Sequence, residues 1–547
     1  MEIPKPNQKK KYKPVVLIVM DGFGVGSNII ESPWELAIHP FFSEIEKDYP
    51  FATIQASGTA VGLPWNEPGN SEVGHLTMGS GKVIYTHLPR ISVAIDDGSF
   101  FKNKTLEKAI SHIKEQSEDA KASLHFIGLF SSGSVHAHSS HLYALLDYAK
   151  QKNIKRVFLH LFSDGRDASL KEGATFFTEL ERHLEKQYPF AKIASIIGRK
   201  YAMDRDGNWD RTETTYNLLV ERKGEIFTLA SSYIKGSYDE GLTDESIEPA
   251  YLQSEDIHPS KESRIKNNDA VIFFNFREDS MRQITESFTN KSFDKFARRE
   301  LTNVFFATMT EYNKNFNLPV LFPPIENNYP LARAISDAGL SQIHIAETEK
   351  YAHVTYFFNG GREQPFPRED RILIDSPETT SFALKPEMSA GKVADTVIES
   401  IPRYDFILAN FANADMVGHT GDFEATIKAI ETLDREVGRV VEAVIEFGGV
   451  IIITGDHGNA EEKIYKLTGE QRTKHTTNSV PFYLIGKDFK ISEPFSQEEI
   501  KEKYKRTDGI LIDVAPTILD LLSTPRPSEM TGDSLIKKLS TYKNPHQ

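Results

Sequence analysis

The amino-acid sequence predicts an α/β fold built as two domains, one interrupted by the other. Three observations carry this prediction. Short apolar runs alternate with amphipathic runs from Val15 almost to the end. At 547 residues the chain is too long for one ordinary core. Side chains able to ligate metals sit in two distant parts of the chain, near 21–71 and 415–475. Their convergence on one site requires residues 1–85 to fold with residues 325–547, leaving 86–324 as an inserted domain.

The strand candidates are VVLIVM (15–20), SLHFIGLF (123–130), RVFLHLF (156–162), KIASIIG (192–198), AVIFFNF (270–276), DFILANF (405–411) and VIIITG (450–455). Their unbroken apolar character predicts strands buried on both faces of largely parallel sheets. The clearest helix runs from Phe423 to Phe447, with Ile427, Ile430, Leu433, Val437, Val441 and Val444 at spacings of three and four, and Gly448 and Gly449 stop it. The proline-rich stretch from Asn317 to Pro330 reads as a linker crossing between the domains.

A net charge of -14 disfavours nucleic acid and anionic membrane as partners, since both need a clustered basic face. An anionic substrate must therefore be captured by a local basic pocket. The absence of cysteine excludes disulfides, thiolate catalysis and cysteine-ligated zinc. The N-terminal MEIPKPNQKKKYKP is basic, and the apolar run after it ends at Met20, too short for a signal or membrane segment. A frayed, solvated tail and a cytoplasmic location are expected.

Asp21, Ser71, Asp415, His419, Asp456, His457 and His475 could hold two divalent cations around a serine hydroxyl. Such a centre suits phosphoryl chemistry, because the ions neutralise phosphoryl oxygens and lower the hydroxyl pKa. Asp21, Asp415 and Asp456 each fall just after a strand candidate, at the sheet edge where ligands bind in open α/β folds. Asp415 and His419, four apart in NADMVGHTGD, would share one face of a helical turn. Taken singly, each has an ordinary reading: a cap, a turn, a surface histidine. Ser71, in PGNSEVGH, could cap a helix or act as a nucleophile, and with the other ligands present the nucleophile is preferred.

Between these halves lie SSGSVHAH, SDGRD, GRKYAMDRDGNWDR and FNFRED. Arg166, Arg199, Arg205 and Arg277 follow successive strand candidates, and guanidinium forks suit phosphate and carboxylate. They are expected to form an anion pocket. His136 could hydrogen-bond a bound phosphate, while His138 and His141 read as helix-start or packing residues.

From Lys13 to the C-terminal DVAPTILDLL and MTGDSLI, the chain resembles the cofactor-independent phosphoglycerate mutases of the alkaline phosphatase superfamily. MDGFG, GNSEVGH, DGRD, MDRD, FFNFR, AETEKYAHVT, LKPEMSA, NADMVGHTGD, TGDHGN and KHTTN occur in that family's order. The resemblance implies an alkaline-phosphatase-like metal domain carrying an inserted substrate-binding domain. It implies one manganese ion on Asp415, His419 and His475, and a second on Asp21, Ser71, Asp456 and His457. Ser71 would become phosphorylated, and Lys350 would be its electrostatic or proton-transfer partner. His136, Arg166, Asp167, Arg199, Arg205, Arg277 and Lys350 would bind substrate. The reaction implied is interconversion of 3-phosphoglycerate and 2-phosphoglycerate, and nothing in the sequence demands more than a monomer. A metal-dependent phosphomonoesterase, or a mutase for another phosphosugar, is the alternative. Two departures stand out. Ser280 occupies a position where the family pattern has a second arginine, for which Arg282 could compensate, and SSGSVHAH replaces SDGGVHSH.

Overall fold

A computed structural model describes residues 12–25, 32–116, 122–253, 263–325, 327–465 and 468–540. Most of the basic N-terminal tail lies outside them. The chain divides into two compact units, Met1–Thr86 with Ile325–Gln547, and His87–Pro324.

The first unit is built on an eight-stranded sheet. Its spatial order is Glu369–Ile374, Gln342–Glu347, Phe406–Phe411, Val15–Met20, Val450–Thr454, Val480–Ile485, Phe51–Gln55 and Gly509–Ile510. Val15–Met20 lies at its heart, parallel to Phe406–Phe411 on one side and to Val450–Thr454 on the other. All three are buried throughout, as their continuous apolar sequence requires. Because they run in the same direction, their carboxyl ends deliver Asp21, the helix Asn413–Gly418 and Asp456 to one edge. The helix Phe423–Phe447 runs between an Asp422 cap, whose side chain accepts from the Ala425 amide, and Gly448 at φ +88°.

Five strands of this sheet are absent from the sequence expectation: Phe51–Gln55, Gln342–Glu347, Glu369–Ile374, Val480–Ile485 and Gly509–Ile510. Each is short or mixes polar residues into the run, and Pro481 argues against a central strand. The register resolves that objection, since Pro481 pairs only with Thr53 and lies beyond the pairing with Val450–Thr454.

The second unit holds a seven-stranded sheet in the order Glu225–Phe227, Ala250–Leu252, Ala191–Gly198, Val157–Ser163, Leu124–Leu129, Ala270–Phe273 and Phe305–Thr308. All neighbours are parallel except Ala191–Gly198 with Ala250–Leu252. The expected strand over 270–276 stops at Phe273. Asn275 ends it, turning its side-chain oxygen to accept the Leu129 amide at 2.8 Å. Among the described residues no helix is long and apolar enough to cross a membrane.

Candidate active site

Ser71 is the first residue of the helix Ser71–Ser80, and it does not cap it. Asn70 does so, accepting the Val73 amide at 2.9 Å. The serine hydroxyl is thereby left for other work at a positive helix end. It donates to Asp21 Oδ1 at 3.0 Å, lies 3.0 Å from His457 Nε2, and accepts from Lys350 Nζ at 2.8 Å. Lys350 also donates to Asp21 Oδ1 at 2.5 Å and Asp415 Oδ2 at 2.6 Å. Close approach is secured by Gly22, at φ +69°, where a Cβ would stand 2.7 Å from the Asp415 backbone.

Three buried carboxylates thus meet around one ammonium. Burial raises the Asp21 carboxyl above its usual range, reinforced by Asp456 and opposed by Lys350. Burial acts on Asp456 and Asp415 too, but is outweighed, by His457, His75 and Lys350 at Asp456, and by Lys350, His419 and His475 at Asp415; both are held well below. Lys350 is raised, because Asp21, Asp415 and Asp456 overcome its own desolvation. It remains an ammonium at neutral pH. A dry site with more carboxylates than cations is a site for further positive charge.

The histidines give a sharper test. His419 Nδ1 faces the Thr473 carbonyl at 2.9 Å, and His475 Nδ1 faces the Gly69 carbonyl at 2.8 Å. Each Nδ1 is engaged by a backbone carbonyl, which turns each Nε2 inward. The two Nε2 atoms lie 3.0 Å apart, with Asp415 Oδ1 3.3 Å and 3.2 Å from them. Two ring nitrogens and a carboxylate oxygen turned on one point are the donor set a divalent cation takes, so these residues fit a metal. Asp21, Asp415 and His457 form a second group of donor atoms within 4.8 Å of one another.

Residues 13–526 match the Metalloenzyme superfamily. The chain is 44% identical to a 2,3-bisphosphoglycerate-independent phosphoglycerate mutase of Clostridium novyi, over 96% of this chain and 99% of that one. It is also 44% identical to the protein of that name from Moorella thermoacetica, with the same coverage. The chain belongs to the 2,3-bisphosphoglycerate-independent phosphoglycerate mutases. A Leishmania mexicana phosphoglycerate mutase, crystallised at low cobalt concentration, is similar in structure: TM-score 0.53 and 29% identity, over 97% of this chain and 98% of that one. Membership makes this a metal-binding isomerase that takes phosphoglycerate as its small-molecule substrate.

In the second unit, most of the side chains expected from the sequence to bind substrate form one charged network. Arg199 Nη1 donates to Asp164 and to Asp167, both at 2.6 Å, and Nη2 lies 3.0 Å from His136 Nε2. Arg205 and Arg277 pair with Asp279 at 2.6 Å and 3.0 Å, their guanidinium groups half exposed. Arg166 stands apart: its guanidinium turns outward to Glu245. Arg199 is buried and committed to carboxylates, whereas Arg166, Arg205 and Arg277 keep exposed guanidinium groups.

Ser280 lies buried beneath this network, its Oγ 3.1 Å from His136 Nδ1. Arg282 does not replace the family's second arginine there, because its Nε donates to the Tyr312 carbonyl at 3.0 Å and its tip lies near Glu278. Ser132 holds the carboxylate of Glu172 through its amide and its hydroxyl, both at 2.8 Å. As the sequence predicts, His138 caps the helix Ser139–Gln151 and His141 is buried in packing.

Burial and then Arg199 push the His136 imidazole down to about 4, against Asp167 and Asp279. The folded ring stays neutral while the unfolded ring takes a proton near 6.5, so its contribution to stability is complete above 6.5 and declines as the pH falls towards 4. Thermal melts across that window should show a shallower decline for His136→Asn than for the parent protein.

Sequence reasoning missed His75, Asn410 and Asn459. Asn459 Nδ2 donates to Asp415 Oδ1 at 2.8 Å, and Asn410 Nδ2 donates to Asp21 Oδ2 at 2.8 Å. The signal was present, since His75 closes GNSEVGH, Asn410 sits in DFILANF and Asn459 ends TGDHGN. Each was read only as part of a strand or turn.

Proposed function

We propose that Ser71 carries the phosphoryl group between the two hydroxyls of glycerate in the interconversion of 3-phosphoglycerate and 2-phosphoglycerate, without added 2,3-bisphosphoglycerate. This is a step of glycolysis and gluconeogenesis. The observation that carries the reading is the Ser71 hydroxyl, uncommitted to its helix, between Asp21, His457 and Lys350.

Asp415, His419 and His475 would hold one divalent cation, and Asp21, Ser71, Asp456 and His457 a second, both manganese. Bound there, the cations supply neutralisation of phosphoryl oxygens and acidify the serine hydroxyl. Ser71 Oγ attacks phosphorus as its proton leaves along the bond to Asp21 Oδ1. The new O–P bond forms as the bond to the 3-oxygen of glycerate breaks, and that oxygen gains a proton. Lys350, whose ammonium donates to Ser71 Oγ, supports negative charge on the serine oxygen. In the second half the 2-hydroxyl gives up its proton and attacks the phosphoserine, the serine O–P bond breaks, and the serine oxygen takes up one proton, which regenerates Ser71.

Between the halves, glycerate must not escape, or the outcome is hydrolysis. Arg205 and Arg277 suit the carboxylate, exchanging Asp279 for it. His136, Arg199 and Asp167 order the network behind them, and Asp167 suits the hydroxyls; Arg166, on the same loop, reaches for the substrate from its pairing with Glu245. The enzyme is proposed to act in the cytoplasm as a monomer.

The test is phosphorus NMR of 3-phosphoglycerate incubated with enzyme and divalent metal, the metal chelated before recording, with no bisphosphoglycerate added. Appearance of 2-phosphoglycerate is expected. Inorganic phosphate alone would make the protein a phosphomonoesterase.

A further inference from the structure

The last two residues of GNSEVGH take no part in the chemistry above, yet the structure places them tightly against it. His75 is fully buried, one helical turn after Ser71. Gly74 lets the helix press onto the Asp456 turn, since a Cβ there would lie 2.7 Å from the Asp456 carbonyl oxygen. Asp21, His75 and Asp456 are near enough to read as ligands of one more cation. The hydrogen bonds say otherwise.

Asn410 decides the matter. Its side-chain amide must present nitrogen to Asp21 Oδ2, at 2.8 Å, because a carbonyl oxygen there would face a carboxylate. The same nitrogen stands 3.1 Å from His75 Nε2, which therefore accepts. The ring proton is thus on Nδ1, 2.8 Å from the Ser71 carbonyl and 3.2 Å from Asp456 Oδ2. His75 has no lone pair left for a metal.

We infer that His75 is a positioning residue that, with Asn410, locks Asp21, Asp456 and the Ser71 peptide into one geometry for cation binding and phosphoryl transfer. One imidazole ring spans the gap between two carboxylates: Asp21 is reached through the asparagine amide, Asp456 directly. The inference rests on the assignment of Asp21 and Asp456 to a metal site.

Manganese binding, read from the electron paramagnetic resonance signal of the free ion, tests it alongside kcat, KM and the melting temperature of the metal-free protein. His75→Ala should weaken manganese binding by about 10- to 100-fold, the range typical of lost partners behind metal ligands. It should lower kcat while leaving KM for phosphoglycerate unchanged. His75→Asn, whose side-chain nitrogen can stand where Nδ1 stood, should recover most of both. A purely structural role would lower the melting temperature while leaving manganese affinity as in the parent, and that result overturns the inference. So does an asparagine variant no better than alanine. Should His75→Ala fail to fold, Asn410→Ala carries the same measurement, and unchanged manganese affinity in it overturns the inference equally. A parent protein that takes up no manganese defeats the metal assignment and this inference together; unaltered binding in the variants of a manganese-binding, active parent defeats the inference alone.

Discussion

Ser71→Ala will lose isomerisation by about a thousandfold or more, the scale seen when a nucleophile is deleted from a preorganised site. The loss will be chemical and not structural. The helix Ser71–Ser80 keeps its cap because Asn70 supplies it, and the hydroxyl bonds only to site groups. Asp21, Asp456 and His457 remain, so metal uptake should persist, weakened by one ligand. The melting temperature should move by no more than a change of about 1 kcal/mol produces. Rates of 2-phosphoglycerate formation, set beside thermal melts of the same preparation, check both halves. A variant that isomerises normally would remove the covalent route.

Lys350→Met is the second large effect. The ammonium is the cation nearest Asp21 and Asp415, at 2.5 Å and 2.6 Å, in a buried site. Removing it leaves two carboxylates facing each other, and breaking such a buried pair costs about 3–5 kcal/mol. The metal-free variant should therefore melt well below the parent. Divalent cation should recover part of the loss, since a ligand that binds only the folded form stabilises it by mass action. Activity should still fall by about 100- to 1,000-fold with metal saturating, because support for charge on the serine oxygen is gone. Melting curves with chelator and with excess manganese, together with kcat, separate the two effects. Equal stability of variant and parent under chelator would contradict the charge balance described for this site.

Much of this was legible in the sequence because it is local. VVLIVM, DFILANF and VIIITG announce buried parallel strands by composition, and an aspartate just after each is at or near the sheet edge by position alone. The helix Phe423–Phe447 matches its periodicity and its Gly448 stop. What was not legible depends on which distant residues meet. Val480–Ile485 is a strand despite Pro481 because its neighbour stops short of the proline. Arg166 follows a strand as the other arginines do, but Glu245, a residue far along the chain, takes its side chain. Ser280 read as the gap left by an arginine, and it is a buried partner of His136. The role of Asn410 is invisible in DFILANF, since a strand pattern does not reveal that Asp21 and His75 lie beside it.

The central claim is that the phosphoryl group passes through Ser71. Mass spectrometry of the peptide containing Ser71, from enzyme quenched in acid during turnover of 3-phosphoglycerate with manganese, tests it most directly. The account predicts a fraction of that peptide heavier by one phosphoryl group, with fragmentation placing it on Ser71, and none when metal is withheld. Turnover to 2-phosphoglycerate with the Ser71 peptide never phosphorylated would contradict it.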